Sequence, residues 1–276
     1  MSGWGESRSS YADHGPRGIS REVNRKRDDV DIDLVAEEAA EQLGIEARDA
    51  HARPSVEDAL AMARAATAPE RGALYHVSKR ALDIALASLL LVLTAPVIAF
   101  IALVIRLDSR GKPIFAQDRV GKNGRLFRFY KFRTMHVDAR ERFPELYAYE
   151  YSAEELPALY FKLPYDPRCT RVGKRLRRTS LDELPNLFNV LRGDMTLVGP
   201  RPEIPEMLPY YRPEQFAKFA VTPGMTGLAQ VSGRNILRFV ETNEKDMEYV
   251  ARRSLLFDVG ILVRTAGVVF LMIGAH

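Results

Sequence analysis

One stretch dominates the hydrophobic pattern. Residues 84–105, IALASLLLVLTAPVIAFIALVI, run for 22 positions without a charge, and roughly 20 apolar residues suffice for a helix to cross a bilayer core. Pro96 near the middle removes a backbone donor and favours a kink. Lys79 and Arg80 precede the run, and Arg106, Arg110 and Lys112 follow it. Basic residues on both flanks favour placing both ends on the cytoplasmic side. A helix that enters, breaks at Ala95-Pro96 and returns to the same face satisfies both observations. A straight span with a tolerated proline and a buried core helix stay open beside this re-entrant hairpin. Asp83 is costly in lipid, so the pattern predicts it at the interface beside Lys79 or Arg80.

Elsewhere the pattern is weaker. Residues 255–273 are mostly apolar but interrupted by Asp258 and Arg264; they read as an amphipathic helix, lying in the interface plane or packed in a soluble core. Residues 125–133, RLFRFYKFR, partly alternate basic with aromatic positions, as a strand would with one face on a core and the other toward phosphates. Residues 1–30 are poor in apolar anchors and are expected to be disordered. Residues 31–50 and 55–68 are rich in Ala, Glu, Leu and Arg. They predict two polar, loosely attached helices, the second capped by Ser55. The first 33 residues carry no apolar run of the signal-peptide kind, and Ser2 excludes the myristoylation pattern. Any membrane attachment is therefore expected from inside the chain.

Charge sharpens the division. Residues 1–70 carry 9 Lys/Arg against 15 Asp/Glu, a local −6, while the rest of the 276-residue chain is +10. A basic body implies an anionic partner: nucleic acid, a membrane surface or phosphorylated small molecules. Residues 106–140 hold ten Lys/Arg among several aromatics, but the Lys-Gly-Phe pattern of RNA-binding strands is missing and an apolar segment lies just upstream, so nucleic acid is set aside. The single Cys169 has no cysteine partner for a disulfide or metal site, which fits a reducing, intracellular location.

The chemistry concentrates in residues 166–202, DPRCTRVGKRLRRTSLDELPNLFNVLRGDMTLVGPRP. Six cations, Arg168, Arg171, Lys174, Arg175, Arg177 and Arg178, lead into the adjacent acids Asp182 and Glu183. Pro185 is tolerated in a first helical turn, so a helix is predicted from about 182 to 191, ending at Gly193. Both carboxylates then lie at a helix N-terminus, where dipole and free amides lower their pKa and attract phosphate. Ser180-x-x-Glu183 also fits a plain capping box. An ionised Asp attacks phosphorus only where phosphate charge is neutralised, which calls for guanidinium groups and a divalent cation. Arg177, Arg178 and Arg201 can supply the first. Glu183 can supply a hard oxygen ligand for Mg²⁺.

The chain resembles the bacterial sugar transferase family, the monotopic phosphoglycosyl transferases, over about residues 77–276. Five blocks carry the resemblance: Lys79-Arg80 with Asp83; DRVGKNGRLFRFYKFRTM from residue 118; the segment just quoted; TPGMTGLAQVSGR from residue 222; and the closing MEYVARRSLLFDVGILVRT. The resemblance implies an α+β, mostly helical monotopic membrane protein. A re-entrant helix-break-helix at 84–105 and interfacial helices surround a small cytoplasmic catalytic domain, 75–276, behind an acidic extension, 1–74. It implies a location in one leaflet at the cytoplasmic face of the bacterial inner membrane, and dependence on Mg²⁺. Asp182 becomes the nucleophile on a UDP-sugar, UMP leaves, and undecaprenyl phosphate takes up the phospho-sugar to begin exopolysaccharide, capsule or O-antigen assembly. Arg119, Lys131, Arg133, Arg177, Arg178, Arg201, Gln230 and Arg234 are the matching candidates for substrate binding, and Glu183 for the metal. Lys79, Arg80, Asp83 and Pro96 belong to the membrane hairpin. A homodimer is compatible with this reading. Where many relatives have Ser-Pro at the break this chain has Ala95-Pro96, so no hydroxyl is expected to help there. Two other readings stay beside it: a glycosyl transferase releasing UDP, and a non-catalytic membrane scaffold.

Overall fold

The computed structural model describes residues 53–152, 154–160, 166–233 and 237–270; the helix expected at 31–50 and Arg234 lie outside them. Helices dominate, and two small two-stranded sheets complete an α+β body.

Helix α1 (Val56–Ala65) starts where the sequence predicts, with Ser55 Oγ accepting from the Asp58 amide at 3.1 Å, acids in its first turn and Arg64 in its last. It is not loosely attached. Ala59, Leu60 and Ala63 share one helical face and are buried in a cluster with Val120, Ile204, Leu208 and Phe239. The two alanines let the backbone come close. Opposite them Gly124, at φ +66, packs so tightly that an added Cβ would lie 3.0 Å from the Leu60 carbonyl oxygen and the Arg64 nitrogen. Arg53 adds a hydrogen bond to the Tyr151 carbonyl and stacks over the Tyr210 ring. The body therefore begins well before residue 75, because a short apolar stripe inside a polar helix was enough to bury it.

Helix α2 (Ala73–Asp108) is one apolar rod of 36 residues, long and apolar enough to cross a membrane. The helical backbone continues through Pro96. In apolar surroundings every backbone group that leaves the helix must find another partner, so losing one bond at proline costs less than opening a turn. A hydroxyl does act there after all. Thr94 Oγ1 donates to the Leu90 carbonyl at 2.6 Å, the back-bonding that bends helices. Leu89, Leu90, Val92, Leu93, Val97 and Phe100 point outward, exposed.

Both ends of α2 grip the same body. At the first end Arg80 donates to the Val190 and Leu191 carbonyls at 2.6 and 2.7 Å. Lys79 pairs with Asp258 at 2.8 Å and also donates to the Val198 carbonyl. Asp83 is buried at 4 % exposure and, among the described residues, forms no ion pair with either of the two cations expected beside it. Its carboxylate accepts from Thr196 Oγ1 at 2.6 Å and from the Leu197 amide at 2.9 Å. At the other end Ile101 and Ile105 pack with Phe132 and Leu176.

Strands β1 (Ile114–Val120) and β2 (Leu126–Phe132) form an antiparallel hairpin. Alternate residues of a strand share a face, and the register pairs Phe115 with Lys131, Gln117 with Phe129 and Arg119 with Phe127. Lys131 therefore lies on the buried aromatic face, and Arg128 on the other, exposed one. The basic positions of β2 thus divide between the two faces. Helix α3 (Arg171–Thr179) is capped by Thr170, whose hydroxyl accepts from the Gly173 amide at 2.9 Å. A 3₁₀ turn (Leu181–Asn186) leads into α4 (Leu187–Arg192), which ends at Gly193 with φ 87. Strands β3 (Thr196–Val198) and β4 (Gly224–Thr226) pair in parallel, followed by α5 (Leu228–Gly233), α6 (Phe239–Arg252) and α7 (Leu255–Phe270). In α7 Asp258 and Ile261 are buried while Leu256, Val259 and Val263 face outward.

Truncating Leu60 tests whether α1 belongs to the core. Leu60→Ala should lower unfolding stability by about 2–3 kcal/mol, measured as a fall in thermal midpoint in detergent. Gly124→Ala should act in the same direction through the positive φ and the contact with α1. Unchanged midpoints for both would show α1 to be an appendage.

Candidate active site

The site is built around the 3₁₀ turn. Ser180, in the left-handed region at φ 58, ends α3 and turns the chain sharply into Leu181. The predicted helix start is replaced by this tighter turn, and α-helical geometry begins only at Leu187. The capping box does not form. Ser180 makes no side-chain cap, its carbonyl accepting instead from the Glu183 amide at 3.2 Å. Glu183 is thereby available to Arg201, whose Nη2 meets Oε1 at 2.8 Å. Asp182 is buried beside it.

Asn189 stitches this unit to the hairpin. Its amide nitrogen donates to the Arg128 carbonyl at 2.7 Å, and its oxygen accepts from the Tyr130 amide at 3.3 Å. β2 is thereby fixed against the acids. Arg119 lies over the Phe129 ring and Lys131 over that of Phe115, each with its charge 5.4 Å from the centroid. Burial and the neighbouring Arg119 push the Lys131 ammonium down to about 8, although Asp182 opposes the shift. The Arg201 guanidinium is held above its ordinary value by Glu183 first and by Asp182 as well. Asp182, Glu183, Lys131, Arg119 and Arg201 thus share one electrostatic field.

A buried polar chain holds the Arg201–Glu203 turn behind them. Arg119 Nη1 lies 3.7 Å from Glu203 Oε1, and the Tyr211 hydroxyl donates to Glu203 Oε2 at 3.0 Å. Lys218 donates to Tyr211 at 3.1 Å and pairs with Asp246 at 2.7 Å. Burial raises the Asp246 carboxyl, and Lys218 opposes that shift. Glu203, Tyr211, Lys218 and Asp246 escaped the sequence reading. The one local signal that could have flagged them is Lys218 between Phe216-Ala217 and Phe219-Ala220.

Other predicted residues lie elsewhere. Arg133 is a clamp on the end of α2, donating to Ser109 Oγ, the Ser109 carbonyl and the Lys112 carbonyl at 2.8–2.9 Å. A guanidinium has five donors in a fixed fork, and this one spends them on backbone and serine rather than phosphate. Arg177 pairs with Asp166 at 2.8 Å and donates to Cys169 Sγ at 2.9 Å. Arg168 forks onto the same carboxylate. The Arg177 charge still contributes to the field at Lys131. Arg178 is exposed on α3. Gln230 sits on α5, which packs chiefly on α6 and α7, and its side-chain amide has no hydrogen-bond partner among the described residues.

Among the described residues no cluster of three or more metal-ligating side chains forms. The adjacent carboxylates of Asp182 and Glu183 nevertheless suit Mg²⁺, which uses one or two carboxylates and completes its shell with water and substrate phosphate. On the far side of the turn an apolar cleft of about 750 Å³ opens between α2 and the body, lined by Leu91, Ala95, Ile98, Phe132, Pro185 and Phe188 among others.

Residues 74–272 match the family described as bacterial sugar transferase. Similar proteins include the galactosyl transferase CpsE of Streptococcus agalactiae, 44 % identical over 72 % of this chain and 43 % of its own length. The undecaprenyl-phosphate galactose phosphotransferase of Salmonella typhimurium is 42 % identical over 72 % of this chain and 41 % of its own. The exopolysaccharide production protein ExoY of Rhizobium meliloti is 36 % identical over 72 % of this chain and 88 % of its own. The chain thus spans less than half the length of the first two and most of the third. A match covering most of the chain, and including the acids, the hairpin cations and the long apolar helix, has one meaning: the chain belongs to the bacterial sugar transferase family.

Proposed function

We propose that this chain transfers a sugar 1-phosphate from a UDP-sugar to undecaprenyl phosphate through a covalent intermediate on Asp182, at the cytoplasmic face of the membrane. The observation that carries the reading is buried Asp182 with half-buried Glu183 beside it, facing Lys131, Arg119 and Arg201, in a chain similar to a protein named for this kind of transfer.

A carboxylate oxygen of Asp182 attacks the β-phosphorus, the bond to the bridging oxygen breaks, and UMP leaves with that oxygen and its electron pair. An oxygen of undecaprenyl phosphate then attacks the same phosphorus. The aspartyl bond breaks, and a lipid diphosphate-sugar is formed. Lys131, Arg119 and Arg201 neutralise the phosphates, so that an anion can approach an anion. Glu183 would hold Mg²⁺ beside Asp182, and the ion would supply further charge neutralisation on the phosphates. Arg201 fixes the Glu183 carboxylate in place. The cleft beside Pro185 offers the lipid chain an apolar approach to the acids. Galactose or glucose is the expected sugar, and the product is the lipid-linked start of an exopolysaccharide-type glycan. In the bilayer α2 acts as a re-entrant element. Support comes from its two ends being anchored on one body, with Pro96 between them as the position where the helix can bend.

Asp182→Asn should abolish both UMP release and any trapped phospho-sugar adduct, a loss of at least about 10³-fold. Glu183→Gln should cut turnover heavily with partial recovery at high Mg²⁺, and Arg201→Lys should lose about 10–100-fold. UDP as the product, or an adduct mapped by mass spectrometry to another residue, contradicts the mechanism.

The Lys131 ammonium is charged below pH of about 8 and neutral above it. Donor KM should accordingly rise between pH 7 and 9, and Lys131→Arg should flatten that rise. A wild-type KM independent of pH would remove Lys131 from phosphate binding.

Engineered cysteines at Ser78 and Ser109 should label from the same side of the membrane. Pro96→Leu, which restores the backbone donor, should shift the pair toward opposite sides. Opposite-side labelling of the unaltered helix would establish a true span.

A further inference from the structure

Helix α3 carries four cations that the chemistry above does not use. At 100° per residue Arg171, Lys174, Arg175 and Arg178 fall within a single arc of about 100°, and all four are exposed. None of them forms an ion pair among the described residues, whereas Arg177, turned inward on the same helix, is paired with Asp166. The arc contains no acid. An ordinary solvated helix face mixes signs and forms i,i+4 pairs, as Arg252 and Glu248 do on α6.

Position adds a second, independent observation. The apolar side of α3, Val172 and Leu176, packs against Ile101 and Ile105 in the last two turns of α2. Outward-facing apolar residues of α2 continue to Leu103 and Leu107, and the exposed cations Arg106, Arg110 and Lys112 begin at that depth with Asp108 as the one acid among them. Where an apolar helix surface gives way to basic residues, headgroups begin. The α3 stripe is thus held within about one helical turn of headgroup level by direct packing on the membrane helix.

We propose that the α3 stripe, continued by Arg106, Arg110 and Lys112, is a docking surface for anionic phospholipid headgroups. Juxtamembrane basic clusters concentrate such lipids electrostatically. A headgroup phosphate satisfies cations for which the protein provides no counter-charge. This surface stands on the face of α3 turned away from Asp166, so it binds bulk lipid rather than the reacting phosphates. The inference rests on the membrane placement proposed above.

Spin-labelled phosphatidylglycerol and phosphatidylcholine, each introduced into phosphatidylcholine vesicles containing the full chain, read it directly through the fraction of label that the protein immobilises. The phosphatidylglycerol label should associate about two- to fivefold more strongly, a factor of five being what one basic residue at such a surface contributes. The preference should collapse in high salt. It should also collapse in the variant carrying Arg171→Gln, Lys174→Gln, Arg175→Gln and Arg178→Gln. Equal association of the two labels with the unaltered protein overturns the proposal, and so does a preference that survives the four substitutions. Immobilised phosphatidylcholine in the same sample reports membrane placement separately. If neither label is immobilised, that placement fails as well.

Discussion

Two buried carboxylates hold the architecture together. Asp83 on the long apolar helix and Asp258 on α7 are both almost fully enclosed, and an enclosed carboxylate without partners is severely destabilising, by about 3–5 kcal/mol when a partner is removed. Each is satisfied only by groups from distant segments. Asp83 takes the Thr196 hydroxyl and the Leu197 amide, while Asp258 takes Lys79 and the Tyr249 hydroxyl at 2.7 Å. Tyr249 also lies 2.9 Å from the Val198 carbonyl. Strand β3 therefore sits between two anionic anchors, which fix α2, the small parallel sheet and α7 relative to one another.

From that placement the dyad follows by short steps. Arg80 closes the carbonyl end of α4, Asn189 on α4 ties β2, and β2 presents Lys131 toward the 3₁₀ turn that bears the acids. Ser180 is left-handed and makes no side-chain cap, and Glu183 meets Arg201. A local rule of helix starts is broken at the position where the proposed chemistry uses the carboxylate, which is where such rules are expected to fail.

The parts of this fold legible in the sequence are those fixed by neighbours in the chain. The charge-free run of α2, the Ser55 cap, the stop at Gly193 and the adjacent acids all depend on residues within a few positions. What escaped depends on distant partners. Arginines in a phosphate-binding segment look alike by charge, yet Arg133 serves a helix end and Arg177 serves Asp166, because only the fold decides which acceptor a guanidinium reaches. The polar chain from Glu203 to Asp246 joins two helical segments and the hairpin, and no periodicity announces it. Helix α1 looked like a surface helix because only Ala59, Leu60 and Ala63 face inward.

The separation of Lys79 from Asp258 also sets a schedule for biogenesis. The two residues are 179 positions apart, and ribosomes add about 5–20 residues per second, so the lysine emerges about 9 to 36 s before its counter-ion. Asp83 waits for Thr196 over 113 positions. For most of that interval, once Asp108 has been added, the apolar helix is complete while its anchoring charges lack their final partners. Early docking of the nascent helix in the bilayer surface would let water and headgroups solvate those charges, and the carboxyl-terminal helix would then act as the latch that completes assembly.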